Sequence, residues 1–347
     1  MVVEQDESVH LPLEMIEIIV PKLPVKSLLR FKSVSKSWNT MISDPAFVKH
    51  HLRISKHSNP HNLFMQKHPN SKGFFSLVKF EGRKFRTVKL LECPYACVKF
   101  LAFCDGVLLL SDISYKKLTL WNPSTRQTAN FEFPYAHCCY PMSYGLFHDR
   151  TVGDFKVVVI CRDHCAIYSC KDKAWTRKRR IQDIGLVQIG SGVCVDGVVY
   201  WVNRWSSDGT HILYFDTKDD DELKVLRKPE NVNLTGKMID LICLRDNLCM
   251  CCIGRGVTNV QIWIKEKGSG NSTWKELMTI ENVQTRASCF EPLLHFVGNK
   301  ILIVWKDSKL VVYNPSEKTF EEVDDSVLSG RGFFPYTESL FFPNQNN

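Results

Sequence analysis

The first part of the chain has the apolar spacing of short helices. Pro12 suits a first helical turn, because its missing N–H would have no partner there. Large apolar side chains then recur at intervals of three and four residues, at Ile16, Ile19, Val20 and Leu23. The spacing predicts an amphipathic helix that ends at Val20, since Pro21 follows.

Three further helices are predicted before residue 53. The second covers residues 25–34, where apolar and basic side chains fall on opposite faces. Either Ser35 or Ser37 is expected to cap the third helix through its hydroxyl group. The fourth restarts at the Asp44-Pro45 pair. The segment is therefore expected to be entirely helical.

A helical unit of this size presents a packing problem. About 40 residues in short helices bury too little surface to close a core of their own. The unit nevertheless carries many large apolar side chains. Two interpretations stay open on the pattern alone: the apolar stripe binds a separate partner, or it packs against the rest of this chain.

After residue 60 the pattern changes to short apolar runs separated by turns. Two-residue hairpin signals recur along this part of the chain, at Asp105-Gly106, Asp196-Gly197, Asp246-Asn247 and Gly298-Asn299, with Gly153-Asp154 in the same series. Each signal is followed by an aromatic strand, a polar turn and one more strand. The copies therefore repeat every 40–50 residues with about four strands each.

This repeat predicts a β-propeller-like domain of about six kelch-like blades. A single blade exposes two faces and cannot bury itself, so the copies must stack and close into a ring. A weaker copy spans residues 62–91, and a strand at residues 340–342 is expected to complete that first blade. A two-sheet sandwich remains the alternative fold.

Composition excludes several classes of protein. The 347 residues are 44% apolar and 24% charged, so a packed core is expected and disorder is not. No apolar run approaches the ~20 residues that a bilayer requires, so no membrane association is expected. The net charge of +8 is spread along the chain, and nucleic-acid binding is therefore not expected. The basic run at residues 177–180 is a solvated loop, an import signal or an anion-binding patch.

The cysteines are expected to be buried thiols. The N-terminus lacks the basic and apolar regions of a secretory signal, which predicts a reducing location in the cytoplasm, the nucleus or both. No CxxC pair occurs among the 14 cysteines. The nearest approach to a metal cluster is Cys161, His164, Cys165 and Cys170, which lacks a second ligand pair. No cofactor or metal is predicted.

Motifs of catalysis are also missing from the sequence. There is no GxSxG, HExxH or P-loop pattern. The acidic run at residues 219–222 lacks the spacing of a calcium loop and is expected to be a solvated turn. The sequence therefore predicts a protein that is not an enzyme. A propeller enzyme or small-molecule binder is the runner-up of a different class.

Three strings in the helical segment resemble the F-box of plant F-box proteins. They are LPLEMI (residues 11–16), LPVKSLLRFKSVSKSW (residues 23–38) and ISDPAF (residues 42–47). The resemblance implies a three-helix module that binds the Skp-type adaptor of a cullin-RING ubiquitin ligase, with Trp38 anchoring the helices. Pro21 departs from the family's polar residue. The implied adaptor-facing residues are Leu11, Pro12, Ile16, Ile19, Leu23, Pro24, Val25, Leu28, Leu29 and Val34.

The rest of the chain resembles the F-box-associated interaction domain, a group that includes kelch-type and S-locus F-box proteins. The landmarks include WNPSTR (residues 121–126), VYW (residues 199–201) and YTESL (residues 336–340). The implied domains are an F-box at 8–53 and a propeller-like domain at 60–343, giving a fold class of α plus all-β.

Together the two resemblances imply the substrate-recognition subunit of an SCF (Skp–cullin–F-box) ubiquitin ligase. A non-degradative binding scaffold and an S-locus-type pollen recognition factor remain alternatives. The sequence carries no signal for the target protein. Since binding residues favour loops on rigid scaffolds, target contacts are predicted in residues 134–148, 204–211 and 265–272.

Overall fold

The computed structural model places a helical module before a ring of β-sheets. It describes residues 12–58, 62–67, 74–81, 84–92, 99–135, 143–149, 152–161, 164–179, 190–203, 211–216, 223–229, 232, 237–254, 257–266, 273–284, 294–304, 310–323 and 330–343. None of the described helices is long and apolar enough to cross a membrane.

Over residues 12–58, which the structure describes, the helical module contains four α-helices. They are α1 (Leu13–Ile19), α2 (Val25–Lys32), α3 (Lys36–Ser43) and α4 (Pro45–Ser58), with a 3-10 turn over Val20–Lys22 between the first two. The module thus has one helix more than the three-helix F-box implied by the resemblance. Its last helix also runs beyond residue 53.

Side-chain caps set the starts of the later helices. Of the two serines expected to cap α3, Ser35 does so, because its Oγ accepts a hydrogen bond from the backbone N–H of Trp38 at 3.3 Å. The Oδ1 atom of Asp44 accepts from the N–H groups of Ala46 and Phe47 at 2.7 and 3.3 Å. These bonds satisfy donors that a helix leaves open at its first turn.

Six antiparallel sheets follow, and we number them as blades 1–6. Blade 1 joins β1–β3 to the last strand of the chain, blade 2 contains β4–β7, and blade 3 contains β8–β11 with the short β12 added in parallel. The strands are β1 (Asn62–Lys67), β2 (Phe74–Glu81), β3 (Lys84–Glu92), β4 (Lys99–Cys104), β5 (Val107–Ser111), β6 (Lys117–Asn122), β7 (Gln127–Glu132), β8 (Ser143–Asp149), β9 (Asp154–Ile160), β10 (His164–Ser169), β11 (Ala174–Arg179) and β12 (Gly190–Ser191).

Blades 4–6 have four strands each. Blade 4 contains β13–β16, blade 5 contains β17–β20, and blade 6 contains β21–β24, after which β25 returns to blade 1. The strands are β13 (Val193–Val195), β14 (Val198–Asn203), β15 (His211–Phe215), β16 (Leu223–Leu226), β17 (Met238–Leu244), β18 (Asn247–Ile253), β19 (Val257–Lys265), β20 (Trp274–Gln284), β21 (Leu294–Val297), β22 (Lys300–Val304), β23 (Leu310–Asn314), β24 (Thr319–Glu322) and β25 (Gly330–Pro335).

The apolar core lies between blades, which confirms the six-bladed propeller over the sandwich alternative. Blades 2 and 3 share a cluster that includes Leu120 and Val157, and blades 5 and 6 share one that includes Cys251 and Ile303. Similar clusters fill the other four junctions. The nine cysteines among the described residues are free thiols, and most of them are buried in these strands.

The hairpin turns follow the sequence prediction with two corrections. Two-residue turns with positive φ occur at Asp105-Gly106 and Asp196-Gly197, conformations that Asp tolerates and Gly favours. In blade 5 the turn is Arg245-Asp246, one residue earlier than predicted, because Asn247 already belongs to β18. The expected signal at Gly153-Asp154 is not a two-residue turn, since β8 ends at Asp149 and β9 begins at Asp154.

The ring closes through a strand that the sequence did not predict. β25 (Gly330–Pro335) pairs antiparallel with β1 and completes blade 1. The prediction of a closing strand at residues 340–342 was wrong, because this stretch has no strand pairing and Leu340 instead packs into the helical module.

Strand direction divides the propeller into two faces. The turns between the first and second strands of the blades, such as Asp105-Gly106 and Arg245-Asp246, lie on the face that α4 contacts, which we call the proximal face. The opposite, distal face carries the turns between second and third strands, such as β5–β6. Two of the predicted target loops, at residues 134–148 and 204–211, leave the distal ends of β7 and β14, whereas the third, at 265–272, leaves the proximal end of β19. Much of all three, including residues 136–142, 204–210 and 267–272, lies outside the described residues.

Candidate functional site

The helical module leaves several large apolar side chains in contact with solvent. On α1, the exposed fractions of Met15, Ile18 and Ile19 are 45%, 54% and 42%, and Val34 in the turn after α2 is 69% exposed. Single exposed apolar residues are ordinary, but three on one seven-residue helix are not. This exposed apolar set, which we call the outer face, is the candidate binding surface.

A small core supports the outer face from beneath. Val20, Leu28 and Ile42 are at most 3% exposed. Around them pack the partly buried side chains of Ile16, Leu23, Phe31, Trp38, Met41, Phe47 and, from the far end of the chain, Leu340. The ring centroids of Phe31 and Trp38 lie 5.3 Å apart, so Trp38 of α3 packs against α2.

The structure separates the residues that the resemblance implied would face the adaptor. Pro12, Ile19, Pro24 and Val34 are exposed, whereas Ile16, Leu23, Leu29 and Trp38 are partly buried. Val25 and Leu28 are at most 1% exposed, which gives them no surface for a partner in this conformation. We therefore assign these two to the support beneath the outer face. Leu11 lies outside the described residues.

Two members of the outer face were not identified from the sequence. The spacing of Ile16, Ile19, Val20 and Leu23 predicts one apolar face, and the structure turns all of these but Ile19 inward. Met15 and Ile18 lie on the other side of α1 and are more exposed than Ile19. The sequence does carry a signal for Met15 and Ile18, because a helix that is apolar on nearly all sides is expected to pack against other surfaces on more than one side.

Polar interactions hold the module in shape. His51 on α4 is buried, and its Nε2 lies 3.0 Å from the carbonyl oxygen of Leu23, which fixes the chain between α1 and α2. Burial lowers the pKa of His51, and the bond to Leu23 opposes this. Burial also lowers the pKa of Lys32, at the end of α2.

Among the described residues no group of three or more His, Cys, Asp or Glu side chains could hold a metal ion. The one sequence cluster that came near such a pattern forms a hairpin instead. The Cys161 N–H donates to the His164 carbonyl at 2.8 Å, and both residues are buried. Burial raises the pKa of Cys170 above its usual value, so its thiol stays protonated.

Comparison with known proteins assigns both parts of the chain. A family model described as the F-box domain matches residues 9–50, and one described as the F-box associated beta propeller domain matches residues 76–341. An F-box/kelch-repeat protein of Arabidopsis thaliana is 26% identical, with 96% of each chain covered. An F-box/LRR-repeat/kelch-repeat protein of the same plant is 26% identical over 81% of this chain and 80% of its own.

A solved propeller, that of Dos1, is similar at 12% identity and a TM-score of 0.41, covering 70% of this chain and 62% of its own. A similarity this distant adds nothing to the fold described above. The family model for the propeller by itself spans most of the chain, and the F-box model covers the helices that precede it. The chain belongs to the family of F-box proteins that carry an F-box associated beta propeller domain.

Proposed function

We propose that this protein is the substrate-recognition subunit of an SCF ubiquitin ligase. Its helical module binds a Skp-type adaptor, and its propeller binds a target protein whose identity is open. The observation that carries the proposal is the outer face, an exposed apolar surface on the part of the chain that matches the F-box domain.

The size of the outer face suits a protein partner. Complete burial of an Ile or Val side chain stabilises a complex by roughly 1.5–3 kcal/mol. Because Met15, Ile18, Ile19 and Val34 already bury part of their surface, each has about 1 kcal/mol left to contribute. The sum, about 4 kcal/mol, offsets only the lower end of the cost of association, so these side chains would form the apolar centre of a larger interface.

The proposed mechanism is proximity. A target held on the propeller places its lysine amine near the thioester that links ubiquitin to a conjugating enzyme. The amine attacks the carbonyl carbon of this thioester and forms an isopeptide bond with ubiquitin. The thioester bond breaks, and the cysteine of the conjugating enzyme leaves as a thiol. The protein contributes position alone, by raising the effective concentration of the lysine.

Binding of a purified Skp-type adaptor to the full chain tests the proposal. Ile18→Asp and Ile19→Asp place charges on the outer face without emptying the core. We expect each substitution to weaken binding at least ~10-fold, because a charge buried in an apolar interface costs more than the ~1.4 kcal/mol that this factor represents. Leu28→Asp is unsuitable, because Leu28 is fully buried and its loss would unfold the module.

Ile113→Asp is the matched control. Ile113 lies in the β5–β6 turn of the propeller and is 77% exposed, so the same change there leaves the helical module intact. The control variant should bind the adaptor as the wild type does. Absence of wild-type binding, or unchanged affinity in both outer-face variants, would refute the proposal.

A further inference from the structure

The end of α4 contacts the proximal face of the propeller at the centre of the ring, which we call the proximal mouth. The Nζ atom of Lys56 lies 2.9 Å from Oδ1 of Asp105 and 3.4 Å from Oδ1 of Asp246. The two aspartates lie in the first turns of blades 2 and 5, which are three places apart in the ring of six. One ammonium group therefore joins opposite sides of the propeller across its axis.

This ion pair is shielded from water on the propeller side. The Asp105 side chain is 7% exposed and the Lys56 side chain 25% exposed. Burial alone would lower the pKa of Lys56, but the attraction of Asp105, its hydrogen bond and Asp246 outweigh burial and raise that pKa. The lysine thus stays charged at any physiological pH. A shielded pair of this kind is costly to break, since either partner alone would be left buried and uncompensated.

Cysteine side chains from three blades lie near this ion pair. The Sγ atom of Cys104, from blade 2, lies 3.3 Å from that of Cys194, from blade 4. Burial raises the pKa of Cys243, from blade 5, to about 12; Asp246 adds to that effect and Lys56 opposes it. Side chains from different blades therefore meet close to the point where α4 contacts the propeller.

The C-terminal segment, residues 336–343, makes a second attachment between the two domains. Leu340 packs into the core of the helical module, and Oε2 of Glu338 accepts a hydrogen bond from the Val25 N–H at 3.2 Å, at the start of α2. The chain therefore returns from the last blade to the first helices.

The same segment is bound to blade 2 on its other side. Nδ2 of Asn122 donates to the carbonyl oxygens of Ser339 and Phe341 at 2.9 and 2.7 Å. The hydroxyl groups of Ser124 and Tyr336 lie 2.6 Å apart. The segment is thus held between the helices and the propeller, where it contacts both.

We propose that Lys56 and the C-terminal segment lock the helical module onto the proximal mouth, so that the protein presents its target from the distal face in one fixed direction. Domains joined by small interfaces usually move relative to one another. Here two attachments from distant parts of the chain, one ionic and one apolar, oppose such movement. Lys56 and Leu340 are therefore positioning residues.

The lock itself can be tested without any ligase activity. We expect X-ray scattering of the full chain to fit one rigid shape for the wild type, and a broader, more extended one for the double variant Lys56→Met, Leu340→Ala. Lys56→Arg keeps the charge and should retain the compact shape. Lys300→Met is the matched control, because Lys300 pairs with Glu321 inside blade 6 at 3.6 Å. Identical scattering of the double variant and the wild type would overturn the proposal.

The fixed direction requires a second measurement, which rests on the proposed function. A short epitope inserted after Ile113, in the distal β5–β6 turn, would capture a lysine-containing nanobody as a surrogate target. In a reconstituted ligase we expect ubiquitin on a restricted set of nanobody lysines with the wild type. In the double variant ubiquitin should be found on roughly twice as many nanobody lysines, because looser geometry makes the effective concentrations of the different lysines near the conjugating enzyme more equal.

The outcomes of this measurement separate the two proposals. Nanobody binding should match the wild type in the double variant, which a merely unfolded protein would not achieve. Because Leu340 also supports the outer face, ubiquitination is compared at adaptor concentrations that saturate each variant. An unchanged lysine pattern would contradict the fixed direction. If the wild type did not bind the adaptor, that result would count against the proposed function instead. X-ray scattering alone would then test whether Lys56 and the C-terminal segment fix the helical module on the propeller.

Discussion

Asn122 provides a sharp test of how the C-terminal segment is held. It is fully buried at the end of β6, in an Asn-Pro-Ser-Thr turn. Its Oδ1 accepts hydrogen bonds from the N–H groups of Ser124 and Thr125 at 2.8 and 3.3 Å. Its Nδ2 donates to the two carbonyl oxygens of the C-terminal segment. The substitution Asn122→Asp keeps the shape and the accepting oxygen, removes the two donated bonds and places a carboxylate in their position.

The expected cost can be worked out from these contacts. The buried carbonyl of Ser339 and the partly buried carbonyl of Phe341 would each lose a donor, at about 1–3 kcal/mol apiece, and would face a second oxygen instead. We expect Asn122→Asp to lower the free energy of unfolding by about 3 kcal/mol. Asn314, in the matching Asn-Pro-Ser turn of blade 6, is the control. Its Oδ1 accepts from the Ser316 N–H at 3.2 Å, a role that Asp also fills.

Urea unfolding followed by tryptophan fluorescence measures the difference between the two variants. Asn314→Asp should remain within about 0.5 kcal/mol of the wild type, because Asn314 is only partly buried and Asp keeps its hydrogen bond. Equal midpoints for Asn122→Asp and Asn314→Asp would refute the reasoning, because the donated bonds would then contribute nothing. If both variants lost about 3 kcal/mol, the amide would be required by the turn itself and not for binding the C-terminal segment.

Two further predictions follow from other buried positions. Burial lowers the pKa of His295 from its usual 6.5 to about 4. Between these two values the unfolded chain binds a proton at His295 that the folded chain does not. The free energy of unfolding should therefore fall by about 2 kcal/mol from pH 7 to pH 5. His295→Leu should remove most of that loss in urea titrations at the two pH values, and an unchanged slope would contradict the assignment. Gly106→Ala should cost about 2 kcal/mol more than Gly153→Ala, measured the same way. Both have positive φ, but a Cβ on Gly106 would lie 2.5 Å from Cβ of Ser339, whereas nothing lies within 4 Å at Gly153; equal costs would count against that close packing.

Much of the propeller could be predicted from local signals. A turn such as Asp105-Gly106 requires positive φ from two neighbouring residues, and few residue types tolerate it, so the hairpins are visible in the sequence. Their regular recurrence predicts the number of blades. The Arg245-Asp246 turn was misplaced by one residue because Asp and Asn both suit turns, and only strand pairing decides between neighbouring registers.

The ends of the chain were predicted less well. Residues 340–342 are as apolar as a strand, and a local pattern cannot distinguish a strand from an irregular segment that packs against another domain. The closing strand contains two glycines and an arginine in Gly330–Pro335, which reads weakly as a strand. Its pairing with β1 supplies the stability that its local sequence does not.

For the candidate binding surface, too, one part could be predicted from local sequence and another part depends on tertiary packing. Apolar content and helical spacing are local properties, so the sequence was enough to predict that the first helices carry more apolar surface than they can bury. Which side chains remain outside depends on the fold, because Leu340 covers one side of the small core and leaves Met15 and Ile18 exposed. The physical reason is that burial depends on what lies opposite a side chain, and here the opposite surface comes from residues more than 300 positions away.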